Sequence, residues 1–209
     1  MIAPAVAPLG SEQNPVKLAL APASDTPKVL AAILPLTKLL EQETGLRFKL
    51  STPTSHAATV EALGTTNVDV AWLAPLGYLL ARERVGVEPL LVAVRDGSTT
   101  SMRLPVPLET IANAPPDARQ QVRALVRTEP VPNDTIAVRK GVPAAVTAKL
   151  RDGLLRVAAS PDGARLLHDL YGIDGLSPVT DAAFGSLRTT VTLLGLNLDE
   201  ALAPRRGGS

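Results

Sequence analysis

Residues 51–78 read STPTSHAATVEALGTTNVDVAWLAPLGY. Ser51 closes a short run, Phe48-Lys49-Leu50-Ser51, with the length and composition of a strand. Thr52-Pro53-Thr54-Ser55 is a turn made of residues that cap helices, since Ser and Thr oxygens accept N–H bonds from a first helical turn. Residues 57–63 are predicted helical, and Gly64 stops them. Residues 68–73, VDVAWL, are almost continuously apolar and predict a buried strand. Pro75 then opens a second helix, at a position where its missing N–H is harmless, with Leu76, Leu79 and Leu80 on one face. Strands and helices in alternation imply a parallel sheet covered on both faces.

The same pattern extends outward. Residues 16–21 are a buried-strand run. Ser24 or Asp25 can cap the helix that follows, with Pro27 in its first turn. Val29, Leu30, Ile33, Leu34, Leu36, Leu39 and Leu40 recur at helical spacing, and Gly45 ends the helix. Pro35 lies inside it and should kink it. Residues 88–94 are a fourth strand. Regularity stops at Arg95, where a turn-like DGSTTS is followed by Leu104-Pro105-Val106-Pro107-Leu108 and the loop Asn113-Ala114-Pro115-Pro116. Residues 122–127 and 135–138 read as strands around Pro130-Val131-Pro132-Asn133-Asp134. Amphipathic helices are expected over 144–159, 162–170 and 181–194. The expected fold is α/β: a three-layer α/β/α lobe on a mostly parallel sheet of about five strands. Residues 135–138 should insert beside the early strands and run against them.

Composition narrows the function. The chain has 209 residues, 45% hydrophobic but only 2% aromatic, so Leu, Val, Ala and Ile must build the core. A net charge of +1 offers no broad surface for nucleic acid or anionic membrane. Without cysteine there is no disulfide, no thiolate nucleophile and no thiolate zinc site. His56 and His168 are the only histidines, too few for a His-rich metal centre, and no cofactor motif occurs. Gly-x-Ser-x-Gly, Gly-x-Gly-x-x-Gly and the Gly-Lys-Ser/Thr phosphate loop are all missing, so no enzyme template fits.

What remains is a site of a few local donors. Open α/β sheets bind ligands outside the carboxyl ends of their strands, where helix N-termini supply N–H groups to anions. Thr54, Ser55 and His56 stand at such a place, although Ser55 could be only a cap. Asp25 would repel an anion and is a plain cap. Trp72, Pro75 and Tyr78 surround the end of the third strand. Trp72 suits a core position better than an aromatic wall, and Tyr78 could face the crevice or pack beneath it. Asn133 and Asp134 follow two prolines, so turn formation alone could explain them. His168 lies among leucines on a helix and reads as a surface or satisfied core residue.

Residues 51–78 and 122–140 resemble the periplasmic phosphate/phosphonate-binding proteins of ABC importers. The shared features are the capped turn Thr54-Ser55-His56, the stretch Val60-Glu61-Ala62-Leu63, then Val68-Asp69-Val70-Ala71-Trp72, and later Asn133-Asp134 with Val138-Arg139-Lys140. The resemblance implies a type II periplasmic-binding fold of two lobes joined by a two-strand hinge. It also implies a small oxyanion ligand, membrane subunits of an importer as partners, and a periplasmic or extracellular location, with a lipoprotein anchor in the parent family. Two departures stand out. Residues 102–108 replace most of lobe two, including a Ser-Thr-Ser-Gly helix start that holds the phosphonate, and His56 stands where the family usually has Tyr. The expected division is a flexible leader 1–15, lobe one from 16–101 and 117–195, a bridge 102–116 and a tail 196–209. Weak oxyanion binding and a homodimer on the uncovered face follow as expectations. The alternative is a single-lobe scaffold that binds nothing.

Overall fold

The computed structural model describes residues 7–20, 26–101 and 129–202. The elements run β1 (Val16–Ala19), α1 (Thr26–Thr44), β2 (Phe48–Ser51), α2 (His56–Gly64), β3 (Val70–Leu73), α3 (Pro75–Val85) and β4 (Glu88–Val94). Short strands β5 (Thr100–Ser101) and β6 (Val131–Pro132) pair with each other. Then follow β7 (Thr135–Val138), α4 (Ala144–Ala159), α5 (Pro161–Tyr171), β8 (Gly175–Pro178), a 3-10 turn (Asp181–Phe184), α6 (Gly185–Leu193) and α7 (Leu198–Ala201). Six strands form one sheet in the order β2-β1-β3-β7-β4-β8. β1, β2 and β3 are mutually parallel, and β4 points the same way because both β3 and β4 pair antiparallel with β7. The returning strand 135–138 therefore lies where the sequence placed it. The sixth strand, β8, was not expected. Gly-Leu-Ser-Pro is short, incompletely buried and ends in a residue that cannot donate to a ladder, which suits an edge.

Side-chain alternation divides the core between two faces. Val70 and Trp72 of β3 join Leu36 and Leu40 of α1 with Leu150 and Leu154 of α4. Ala71 and Leu73, one residue out of phase, join Val60 and Leu63 of α2 with Leu79, Leu80 and Phe184. Period-two alternation thus makes the three layers. α1 continues through Pro35, and the helix expected over 181–194 starts as the 3-10 turn and becomes α-helical at Gly185.

The buried charge at the lower edge of the sheet is Asp69, 1% exposed. Its Oδ2 accepts the Lys17 backbone N–H at 2.9 Å, and its Oδ1 accepts the Arg139 Nε–H at 2.8 Å. Its own N–H and carbonyl continue the link, to the Lys17 carbonyl at 2.8 Å and from the Arg139 N–H at 2.9 Å. One residue therefore ties β1, β3 and β7 together at their shared end.

At two boundaries the structure shows contacts within segments expected to be leader and tail. Gly10 donates to the Asn14 carbonyl at 2.7 Å and accepts from the Arg47 N–H at 2.8 Å, and Asn14 bonds the Ala7 carbonyl at 2.8 Å. Residues 196–202, expected to be tail, include α7 with Leu198 buried. The bridge 102–116, the expected strand 122–127, the caps Ser24 and Asp25, and residues 203–209 lie outside the described residues.

Two stability measurements follow. Asp69→Ala leaves the Arg139 guanidinium and the Lys17 amide without their acceptor, and should cost about 3–5 kcal/mol in urea unfolding, the range for breaking a buried pair; a loss below about 1 kcal/mol would contradict the anchoring role. Gly163→Ala should cost about 1–3 kcal/mol, because an added Cβ would meet the Val157 carbonyl oxygen at 2.0 Å. An unchanged urea midpoint for that variant would show that α5 can shift away from α4.

Candidate functional site

The carboxyl ends of β1, β2 and β3 form one rim, and β7 begins there because Leu73 pairs with Thr135. α2 starts on this rim. Ser55 is its N-cap in extended conformation, and Ser55 Oγ accepts the Ala58 N–H at 3.1 Å. The Thr59 N–H and Oγ1 both bond the Ser55 carbonyl, at 3.1 and 3.0 Å. The N–H groups of His56 and Ala57 precede the first intrahelical bond and have no acceptor within the helix. Thr54 beside them is exposed. Two polar atoms at this end of β2 and α2 are buried without a partner, Ser51 Oγ and His56 Nδ1. Gly77 of α3 lies close to the His56 ring, since a Cβ there would stand at ordinary contact distance, 3.7 Å, from Nδ1. Buried polar atoms are almost always satisfied in native proteins, by protein or by something bound.

The other expected residues take different places. Trp72 is 3% exposed and stacks on Tyr171, with centroids 5.1 Å apart, in the core layer under α1 and α4. Trp72 Nε1 and the Tyr171 hydroxyl are also buried without partners. Burial, with the charge of Asp134 adding, pushes the Tyr171 phenol up to about 12. Pro75 is the first residue of α3 and borders an apolar groove with Leu76, Val131, Leu187 and Leu196. Tyr78 is fully buried beneath that helix. Its hydroxyl donates to Asp181 Oδ1 at 2.6 Å, and its ring packs on Phe184. Burial and then the Asp181 bond raise its pKa well above the usual phenol range.

Asn133 and Asp134 stand at the hinge. Asn133 is buried, and its amide donates to the carbonyls of Ala93 at 3.1 Å and Ser98 at 2.9 Å. Asp134 accepts from Arg95 at 2.7 Å, while Arg95 also bonds the Tyr171 carbonyl. The hinge entry Arg95-Asp96-Gly97-Ser98 is closed by reciprocal backbone bonds of 2.9 Å, with positive φ at Asp96 and Gly97, the conformation of a type I′ turn. These side chains stitch the hinge, the role that turn formation suggested for them. His168 is exposed and contacts Asp174 at 3.2 Å. Thr54, Ser55 and His56 are thus the candidates the fold brings together. Ser51, Tyr171 and Arg95 were missed; Ser51 could have been found as a hydroxyl closing an otherwise buried strand.

Comparison with known proteins agrees with this geometry. The family described as "ABC transporter, phosphonate, periplasmic substrate-binding protein" matches residues 18–104 and 106–184. The phosphate-import protein PhnD of Mycolicibacterium smegmatis is 33% identical over 82 residues, 39% of this chain and 26% of that protein, so the matched stretch is about a quarter of the relative's length. Among solved structures, a binding-protein component of an ABC phosphonate transporter from Pseudomonas aeruginosa superposes with a TM-score of 0.69 at 14% identity, covering 96% of this chain and 91% of that one. PhnD1 of Prochlorococcus marinus, in complex with methylphosphonate, superposes with a TM-score of 0.61 at 10% identity, covering 86% and 98%. At these identities the likeness fixes the fold, that of periplasmic-binding proteins. The family itself is a transporter's binding component rather than an enzyme. On the extent of the family match, the chain belongs to the periplasmic phosphonate substrate-binding proteins of ABC transporters.

Proposed function

We propose that this chain binds a small oxyanion of the phosphate or phosphonate class at the start of α2 and hands it to the membrane subunits of an ABC importer. The observation that carries this reading is the presence of two buried, unpartnered atoms, Ser51 Oγ and His56 Nδ1, at the end of the fold where the N–H groups of His56 and Ala57 have no acceptor within α2. A helix N-terminus concentrates N–H donors and the positive end of the helix dipole, which favours an oxyanion. Thr54 and Ser55 add hydroxyls at the same rim. The family supports the ligand class and a periplasmic setting. No described helix is long and apolar enough to cross a membrane.

Binding should be weak. In a two-lobed binder, closure excludes water and completes the ligand's hydrogen bonds. On the reading that the short stretch between β5 and β6 stands in for most of lobe two, a bound anion would keep one face in water. Neutral hydrogen bonds contribute about 0.5–1.5 kcal/mol net each, and charge-assisted ones up to about 3. Three such bonds less the cost of association give dissociation constants of roughly a millimolar or weaker. The same reduction leaves the rim and the β5–β6 pair open to a second copy, so a homodimer on this face belongs to the proposal.

Titration calorimetry with phosphate, phosphite and methylphosphonate tests it. The expected result is saturable binding near a millimolar, weakened at least threefold in His56→Ala and unchanged in the surface variant Arg165→Ala. Micromolar affinity would overturn the weak-binding claim. Absence of any heat or thermal shift at tens of millimolar ligand would favour a scaffold without binding. A monomer mass by light scattering at high concentration would remove the dimer.

A further inference from the structure

The last helices meet the rest of the molecule through α3, β6 and the 3-10 turn. Open clefts line this seam. Of α6 only Leu187 is buried, while Leu193 and Leu194 are 80% and 66% exposed. An open cleft of about 430 Å³ runs between Leu80 and Arg84 of α3 and Val191 and Leu198. A second, of about 340 Å³, lies between Leu79 and Arg82 on one side and Arg188 and Val191 on the other. The apolar groove beside Pro75 and Val131 adds about 320 Å³. Between these clefts, the apolar packing of residues 181–202 on the core rests on a few side chains, Phe184, Leu187 and Leu198 buried and Val191 and Leu202 partly so.

A concentrated set of polar bonds adds to this packing. The Asp181 carboxylate accepts the Tyr78 hydroxyl at 2.6 Å and Arg188 at 2.9 Å, with Arg82 Nε at 3.7 Å. The Tyr78 ring packs on Phe184 with centroids 4.1 Å apart. Farther along, Arg84 pairs with Asp199. We infer that residues 181–202 form a strap that opens from α3 as a unit, before the six-stranded sheet unfolds, and that the Tyr78–Asp181 bond is its clasp. Proteins open in cooperative pieces, and pieces with few buried apolar contacts open first. Because the 3-10 turn also touches the hinge strand β6, the strap is placed to respond when the hinge moves.

The clasp carries a pH dependence of known sign. Tyr78 and Arg82 face Asp181 from α3, Arg188 faces it from α6, and Glu88 of β4 reaches it only through Arg82. The Tyr78 bond, assisted by Arg188 and Arg82 and opposed by partial burial, holds the Asp181 carboxyl below its usual range. A carboxyl lowered in the folded state stabilises above its unfolded value and loses that contribution as pH falls through the folded one. The strap should therefore loosen first below about pH 4.

Hydrogen exchange read by mass spectrometry on the full chain tests this. At neutral pH, amides in 185–202 should exchange at least tenfold faster than those in 70–73 and 135–138. Tyr78→Phe keeps the ring on Phe184 but removes the clasp, and should accelerate 185–202 about fivefold further while the sheet changes less than twofold. Arg188→Gln should act in the same direction more weakly and decides the matter if Tyr78→Phe does not fold. Equal exchange of strap and sheet in the parent chain would overturn the inference. So would a variant that accelerates both by the same factor.

Discussion

Asp69 has almost no contact with water, yet it carries a charge. Such a group is tolerated only with full compensation, and here that comes from the Arg139 guanidinium and the Lys17 amide. The geometry fixes more than one pair of charges. Lys17 is on β1, Asp69 immediately precedes β3, and Arg139 follows β7, so the three central strands share one register at their lower ends. Once that register is set, period-two alternation sends Val70 and Trp72 to one layer and Ala71 and Leu73 to the other. The carboxyl ends of the strands then arrive together at the opposite edge, where α2 and α3 begin.

That edge is where the structure departs from full internal satisfaction. At the lower edge the Asp69 carboxylate is partnered on both oxygens. At the upper edge Ser51 Oγ and His56 Nδ1 are buried with none. The hinge shows the opposite design. The Asn133 amide bridges two carbonyls, Arg95 joins Asp134 to Tyr171, and a type I′ turn sets the angle at which the chain leaves the sheet. A stitched hinge beside an unsatisfied rim is the arrangement expected of a binding protein, in which the frame is rigid and the remaining hydrogen bonds wait for the solute.

Much of this was legible in the sequence because its signals are local. The runs 48–51, 70–73 and 88–94, the cap at Ser55 and the helix over 144–159 all follow from apolar spacing and end residues. The antiparallel return of 135–138 came through family resemblance. What was not legible depends on distant partners. Asp69 and Arg139 lie in two motifs that the sequence marked separately, and only the fold joins them across 70 positions. The fate of Tyr78 turned on Asp181, 103 residues away. β8 was missed because its residues have weak strand preference and are ordered by distant partners, pairing with β4 and packing on α4. His56 was read correctly as lying at a helix start, but the isolation of its Nδ1 could not be seen without the packing of α3 above it.

The central claim is that an oxyanion sits at the first turn of α2. Amide chemical shifts recorded by NMR while methylphosphonate is titrated into the ¹⁵N-labelled chain report on that turn directly. The account predicts that the largest shifts fall on the amides of Ser55, His56 and Ala57, with those of α4 and α6 unmoved. Shifts centred away from α2, or none at saturating ligand, would contradict it.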